Sequence, residues 1–166
     1  MPADVYVDAA LFMGMHADDD AVRVACKNFF VDRLSGGDAV VMSLEQVGRC
    51  DALIWGRCGR DEQDSYYPFM DVLHTDMAMG RIPYEEQDIK AALTASSLAG
   101  LELTDRLTLG MVLNRGGELV TVNPRLAGRD DLPVRRPKGG TERHFPCYLE
   151  WRYERSLALR VPGKDL

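Results

Sequence analysis

The chain has no Cys-x-x-Cys pair: its four cysteines, Cys26, Cys50, Cys58 and Cys147, are scattered. That spacing speaks against a zinc ribbon or a redox dithiol. Cys26 and Cys50 fall among apolar residues and read as small core hydrophobes. No apolar run approaches the roughly 20 residues that span a bilayer. The opening Met1-Pro2-Ala3-Asp4 has neither the basic nor the apolar segment of a signal peptide, so a cytoplasmic location is expected, with no membrane partner and no disulfides. Excess positive charge is missing too. A net charge of −6 and a pI near 5.1 disfavour broad electrostatic adhesion to nucleic acid. No Gly-x-Ser-x-Gly elbow surrounds Ser43. His16, His74 and His144 share no ligand spacing, and Asp18-Asp19-Asp20 lacks the later Gly and Glu of a calcium loop. There are no internal repeats and no low-complexity tract.

At 166 residues, 46% of them hydrophobic and 28% charged, the chain is large enough to bury one full core. Residues 4–8 read as a strand. A helix follows from Asp18-Asp19-Asp20, whose charge suits the positive end of a helix dipole, to Leu34, where Ser35-Gly36-Gly37 stops it. Ala39-Val40-Val41-Met42 is a short buried strand. Ser43 and Gln46 form a capping box that opens the next helix. The polar stretch 57–64 reads as a connection and Ser65–Met79 as a helix. Gly80-Arg81-Ile82-Pro83 breaks the chain, and Glu85 to Ala99 is helical. Thr104 is an apt N-cap for a helix from Asp105 to Asn114, with a strand over 118–122 and a short edge strand near 132–134. This alternation predicts an α/β fold, a three-layer α/β/α sandwich on a central parallel sheet. The tail from 137 contains Lys138-Gly139-Gly140, a flexible link, and its 147–153 stretch could be strand or helix. Residues 135–160 carry the one basic bias in the chain. The tail's aromatics suit packing on the sheet edge or across a dimer, or stacking on bases.

In open parallel sheets, ligands gather beyond the carboxyl ends of the strands. Asp8 and Asn123 end strands, and Asp105 opens the helix that leads to one of them. Hard divalent cations select oxygen ligands, so the candidates for a metal site are Asp8, Glu45, Asp105 and Asn123, with Asp51, Asp130 and Asp131 in reserve. Each has a plainer role as well. Asp8 could cap a helix, Glu45 and Asp105 could stabilise helix dipoles, and Asn123 before Pro124 could make a turn. Asp88 reads as a surface acid.

Three segments together resemble the PIN-domain ribonucleases, which include bacterial toxin nucleases: Val5-Tyr6-Val7-Asp8-Ala9-Ala10-Leu11-Phe12, Asp105-Arg106-Leu107-Thr108-Leu109-Gly110-Met111-Val112-Leu113, and Glu118-Leu119-Val120-Thr121-Val122-Asn123. Asn123 lies eighteen residues beyond Asp105, which suits the family's Thr-x-Asn or Thr-x-Asp position. The likeness covers about 4–136, giving a PIN-like domain over 1–136 and a C-terminal extension over 137–166 that packs on the domain or on a partner. It implies a Mg²⁺- or Mn²⁺-dependent phosphodiester hydrolase acting on single-stranded RNA, in which metal-bound water attacks phosphate. Asp8 and Asp105 would hold metal, Glu45 would assist, and Asn123 would complete the shell. A homodimer and an inhibitory protein partner are also implied. One position departs from the family: Arg49 stands where its second acid belongs. That arginine would oppose a cation or hold a phosphate. The alternative expectation is therefore a catalytically degenerate PIN-like protein that binds a partner or small ligand.

Overall fold

The computed structural model describes residues 3–166. Five short strands, β1 (Val5–Val7), β2 (Val41–Ser43), β3 (Gly80–Ile82), β4 (Glu118–Val120) and β5 (Val134–Arg135), form one sheet in the order β3-β2-β1-β4-β5. Every pairing is parallel, with Tyr6 opposite Val41 and Leu119. Parallel sheets are covered on both faces, and the pleat sorts side chains accordingly. Val5, Val7 and Val120 enter one core with Leu11, Phe12 and Phe30, whereas Tyr6 and Leu119 enter the other with Leu109 and Val112. The helices are α1 (Ala9–Gly14), α2 (Asp20–Gly36), α3 (Leu44–Arg57), α4 (Arg60–Asp76), α5 (Glu86–Thr94), α6 (Leu103–Arg115) and α7 (Cys147–Ser156). The architecture is the expected α/β/α sandwich. No helix among the described residues is long and apolar enough to cross a membrane.

Local chemistry accounts for most boundaries. Asp19 caps α2 by accepting from Val22 N, and Gly37 ends that helix at φ 68°. Gly110 lets α5 and α6 approach closely, since a Cβ there would stand 2.6 Å from Ala92 Cβ and from Asp88 O. Several boundaries and the burial of one acid differ from expectation. Asp61 and Glu62 stabilise a first turn, so α4 already begins at Arg60 and absorbs the polar connector. Gly80-Arg81-Ile82 is no break but an edge strand paired to β2. Helix α6 starts at Leu103, leaving Thr104 inside it rather than capping it. Asp88 is fully buried rather than a surface acid. Arg115 reaches its carboxylate at 2.6 and 3.1 Å and Asn114 at 2.8 Å, which holds it down at about 2.

The tail is part of the core. Phe145, Leu149 and Tyr153 pack on α4 rather than on the sheet edge, with the Phe69 ring 5.3 Å from Tyr153 and 5.7 Å from Phe145. A buried cation ties α2 to this layer. The Lys27 ammonium lies 2.6 Å from Glu150, 3.6 Å from Glu142 and 4.7 Å from the Tyr153 ring centre. Removing one partner of a buried ion pair strands the other charge. Glu150→Ala is therefore expected to cost about 3 kcal/mol, read as a lowered urea midpoint; an unchanged midpoint would show that Glu142 alone satisfies Lys27.

Candidate functional site at the strand ends

Strand order reverses direction between β1 and β4, and the crevice beyond their carboxyl ends is where such sheets bind ligands. Asp8 follows β1 directly and caps α1, its Oδ1 accepting from Leu11 N at 3.0 Å. Its Oδ2 accepts from the Thr121 hydroxyl at 2.5 Å, and the same Thr121 oxygen accepts from Asn123 N at 2.9 Å. One threonine thus pins the ends of both central strands. Burial pushes the Asp8 carboxyl up to about 6, and nearby Asp105 adds to the rise; the bonds from Thr121 and Leu11 and the charge of Arg49 oppose it.

Gln46 stands beside Asp8. Its expected return bond to the helix start is not made. Ser43 does accept from Gln46 N at 3.1 Å, but the Gln46 amide turns across the cleft. It accepts from Ala9 N at 3.0 Å and donates to the Thr108 hydroxyl at 3.1 Å.

Asp105, in the first turn of α6, faces the same cleft and is 3% exposed. Arg125 grips it with Nε at 2.8 Å and Nη2 at 3.3 Å, and Asn123 Nδ2 donates to it at 3.1 Å. The Asn123 amide oxygen accepts from Arg125 N at 3.0 Å. A guanidinium forked onto a carboxylate is a strong, geometrically defined pair, and it raises Arg125 above its ordinary value.

As the side chains stand, Asp8 and Asp105 are both held by donors of the protein itself. A two-metal site needs several carboxylates with free lone pairs. Here Asp8 and Asp105 already accept from two or more donors each, and the Asn123 oxygen is turned to a backbone N–H. No group of three or more His, Cys, Asp or Glu side chains converges among the described residues. Glu45 lies outside the cleft wall. Its carboxylate accepts from Tyr84 OH at 3.1 Å, and Tyr84 contacts Thr108 at 3.4 Å, so its link to the site is indirect. Among the reserve acids, Asp131 pairs with Arg129 on the surface at 2.6 Å, and Asp51 accepts from Tyr67 on the outer side of α3.

The matched sequence spans the whole chain, residues 1–166, and the family is DUF6190, described as a family of unknown function. This chain belongs to DUF6190. No curated protein matches it in sequence.

The structure therefore brings Asp8, Asp105 and Asn123 together, as the order of motifs in this DUF6190 chain suggested. Sequence reasoning passed over Arg125, Thr121, Gln46 and Thr108. The signals were present: Thr121 is the first residue of the Thr-x-Asn pattern, and Arg125 follows Asn123 by two, close enough to turn back on it.

Asp8 also makes stability depend on pH. Its carboxyl holds a proton up to about 6 when folded and to about 3.9 when unfolded. Its contribution is thus fullest below about pH 4, is lost as pH rises through 6, and is flat above that. Asp8→Asn is expected to abolish this fall and to be about 1–3 kcal/mol more stable than the parent at pH 7. Urea unfolding across that range checks it, and a less stable variant at neutral pH would show the carboxylate to be favourable where it sits.

Proposed function

We propose that this chain is a PIN-like domain that binds an anionic group at its strand-end cleft and does not hydrolyse phosphodiesters. The observation that carries this reading is Arg125 on Asp105. A fixed organic cation stands on the carboxylate from which a metal would have to be bound, and Asn123 supports it from the side. Arg125 stays 39% exposed along its side chain, with its Nη2 also 3.7 Å from the exposed Glu102. Arg49 on the opposite wall is exposed and has no acidic partner among the described residues. Two guanidiniums across one cleft favour phosphate or carboxylate oxygens.

The cleft encloses only about 50 Å³, partly closed by Asp165 and Leu166. A space of that size takes a few water-sized groups, so one anionic head fits and a nucleobase does not. The backbone phosphates of single-stranded RNA are the ligand to test first. With two cations engaged, the logarithm of affinity should fall against the logarithm of salt with a slope of only about −1.4.

Anisotropy of a labelled single-stranded RNA in EDTA is expected to show weak, salt-dependent binding that drops in Arg49→Ala and in Arg125→Ala. Added Mn²⁺ should neither tighten it nor produce cleavage. RNA binding in EDTA that ignores both substitutions would remove the cleft from the reading. Calorimetric Mn²⁺ binding lost in both Asp8→Asn and Asp105→Asn, together with Mn²⁺-dependent cleavage, would overturn the proposal and favour the hydrolase instead.

A further inference from the structure

Residues 162–166 reach the wall of the strand-end cleft, and little holds them there. Backbone pairing anchors the chain as far as Val161, whose N–H donates to His16 O at 2.8 Å and whose carbonyl accepts from Asp18 N at 3.0 Å. Beyond Val161 the backbone bonds stay within one turn: Asp165 N donates to Pro162 O at 2.9 Å and Leu166 N to Gly163 O at 3.4 Å. Two side chains fasten this turn to the body of the molecule. Asp165 pairs with Arg57 of α3, and Leu166 is half-buried against the core that holds Leu11 and Phe12. The Arg57 side chain is 58% exposed, and ion pairs so open to water are weak. Segments with so few buried contacts are the ones that open first.

Asp165 and Leu166 both line the cleft. On the other side of the turn lies a groove of about 390 Å³, between Leu53, Arg57 and Glu62 and the stretch 158–162. Leu53 and Asp165 belong to both linings, so the small cleft and the larger groove are neighbours with the turn between them. Helix α3 joins the two. Arg49, Leu53 and Arg57 stand four residues apart and share one helix face; Arg49 and Leu53 line the cleft, Leu53 and Arg57 the groove. This strip carries a cation at each end, about 12 Å apart along the axis. Asp165 already occupies the far one.

We propose that residues 162–166 form an autoinhibitory strap, in which an internal anion, Asp165, competes with single-stranded RNA for the cleft and the α3 strip. This rests on the anion-binding reading of the cleft given above. With the strap closed, the cleft admits one anionic head. With it swung away beyond Val161, cleft and groove become one channel, and a later phosphate of the same strand meets Arg57 in place of Asp165. Arg57 and Arg160 then outweigh Glu62 among the charges of the groove. The nucleoside between the two phosphates gains the room beside Leu53 that the cleft alone denies it. A strap that is closed most of the time lowers the apparent affinity in proportion to the fraction open.

Deleting Gly163–Leu166 removes Lys164 and Asp165, one charge of each sign, so a change in affinity is not an effect of net charge. Anisotropy of a labelled single-stranded RNA in EDTA compares the parent, this deletion and Leu166→Ser, each with and without Arg125→Ala. Thermal melting shows that each is folded, and Leu166→Ser decides the matter if the deletion is not. The deletion is expected to bind RNA about tenfold more tightly than the parent and Leu166→Ser about threefold, both gains disappearing with Arg125→Ala. Hydrogen exchange at residues 163–166 of the parent should quicken when RNA binds. If neither variant binds more tightly than the parent while Arg125→Ala still weakens binding in every background, the strap is overturned and the cleft stands as an anion site. If no form binds RNA, or binding ignores Arg125→Ala throughout, the reading of the cleft falls and the strap with it.

Discussion

The pairing of β1 with β4 is the constraint on which the rest of the molecule depends. Three residues on each side, Val5 to Val7 against Glu118 to Val120, fix the register of the central strands. The Thr121 hydroxyl then locks their ends together by donating to Asp8 and accepting from Asn123 N. A slip of one residue would exchange Val5 and Val7 with Tyr6 between the two cores. It would also carry Asp8 away from Thr121. Packing and site geometry are thus set by one pairing, and the carboxylate that caps α1 is the same one that faces the cleft.

Around that centre the fold manages buried charge in three ways. Asp88 is held as a carboxylate by Arg115 and Asn114 and joins α5 to α6. Lys27 is held as an ammonium by Glu150 and Glu142 and joins α2 to the tail. Asp8 alone among these lacks a cationic partner in contact and has only neutral donors, so burial raises its affinity for a proton. Buried ions persist where partners compensate them.

The candidate site was legible in the sequence as far as chain order carries. Strand ends in a parallel sheet point to one edge, so Asp8 and Asn123 could be assembled from their positions after apolar runs, and Asp105 from its place at the start of the helix that leads to the second strand. Arg125 could not, because a long side chain reaches in several directions and only the fold decides which acid it meets. Glu45 failed as a wall residue for a related reason. One helical position separates it from Gln46, and the rotation of α3 on the sheet puts the amide, not the acid, towards Asp8. Asp88 misled in the opposite sense: nothing local distinguishes an exposed helical acid from one that a neighbouring helix covers.

Sequence by itself determined the alternation of strands and helices, the parallel sheet that this alternation imposes, and the edge at which functional groups collect. Those features follow from periodicity, capping and short connections, which act over a few residues. Tertiary structure alone decided that the tail belongs to the core, that an arginine holds the second carboxylate, and that Gln46 rather than Glu45 faces the cleft. Each of these rests on contacts between segments distant in the chain, where side-chain direction and burial are set by packing and leave no local pattern to read.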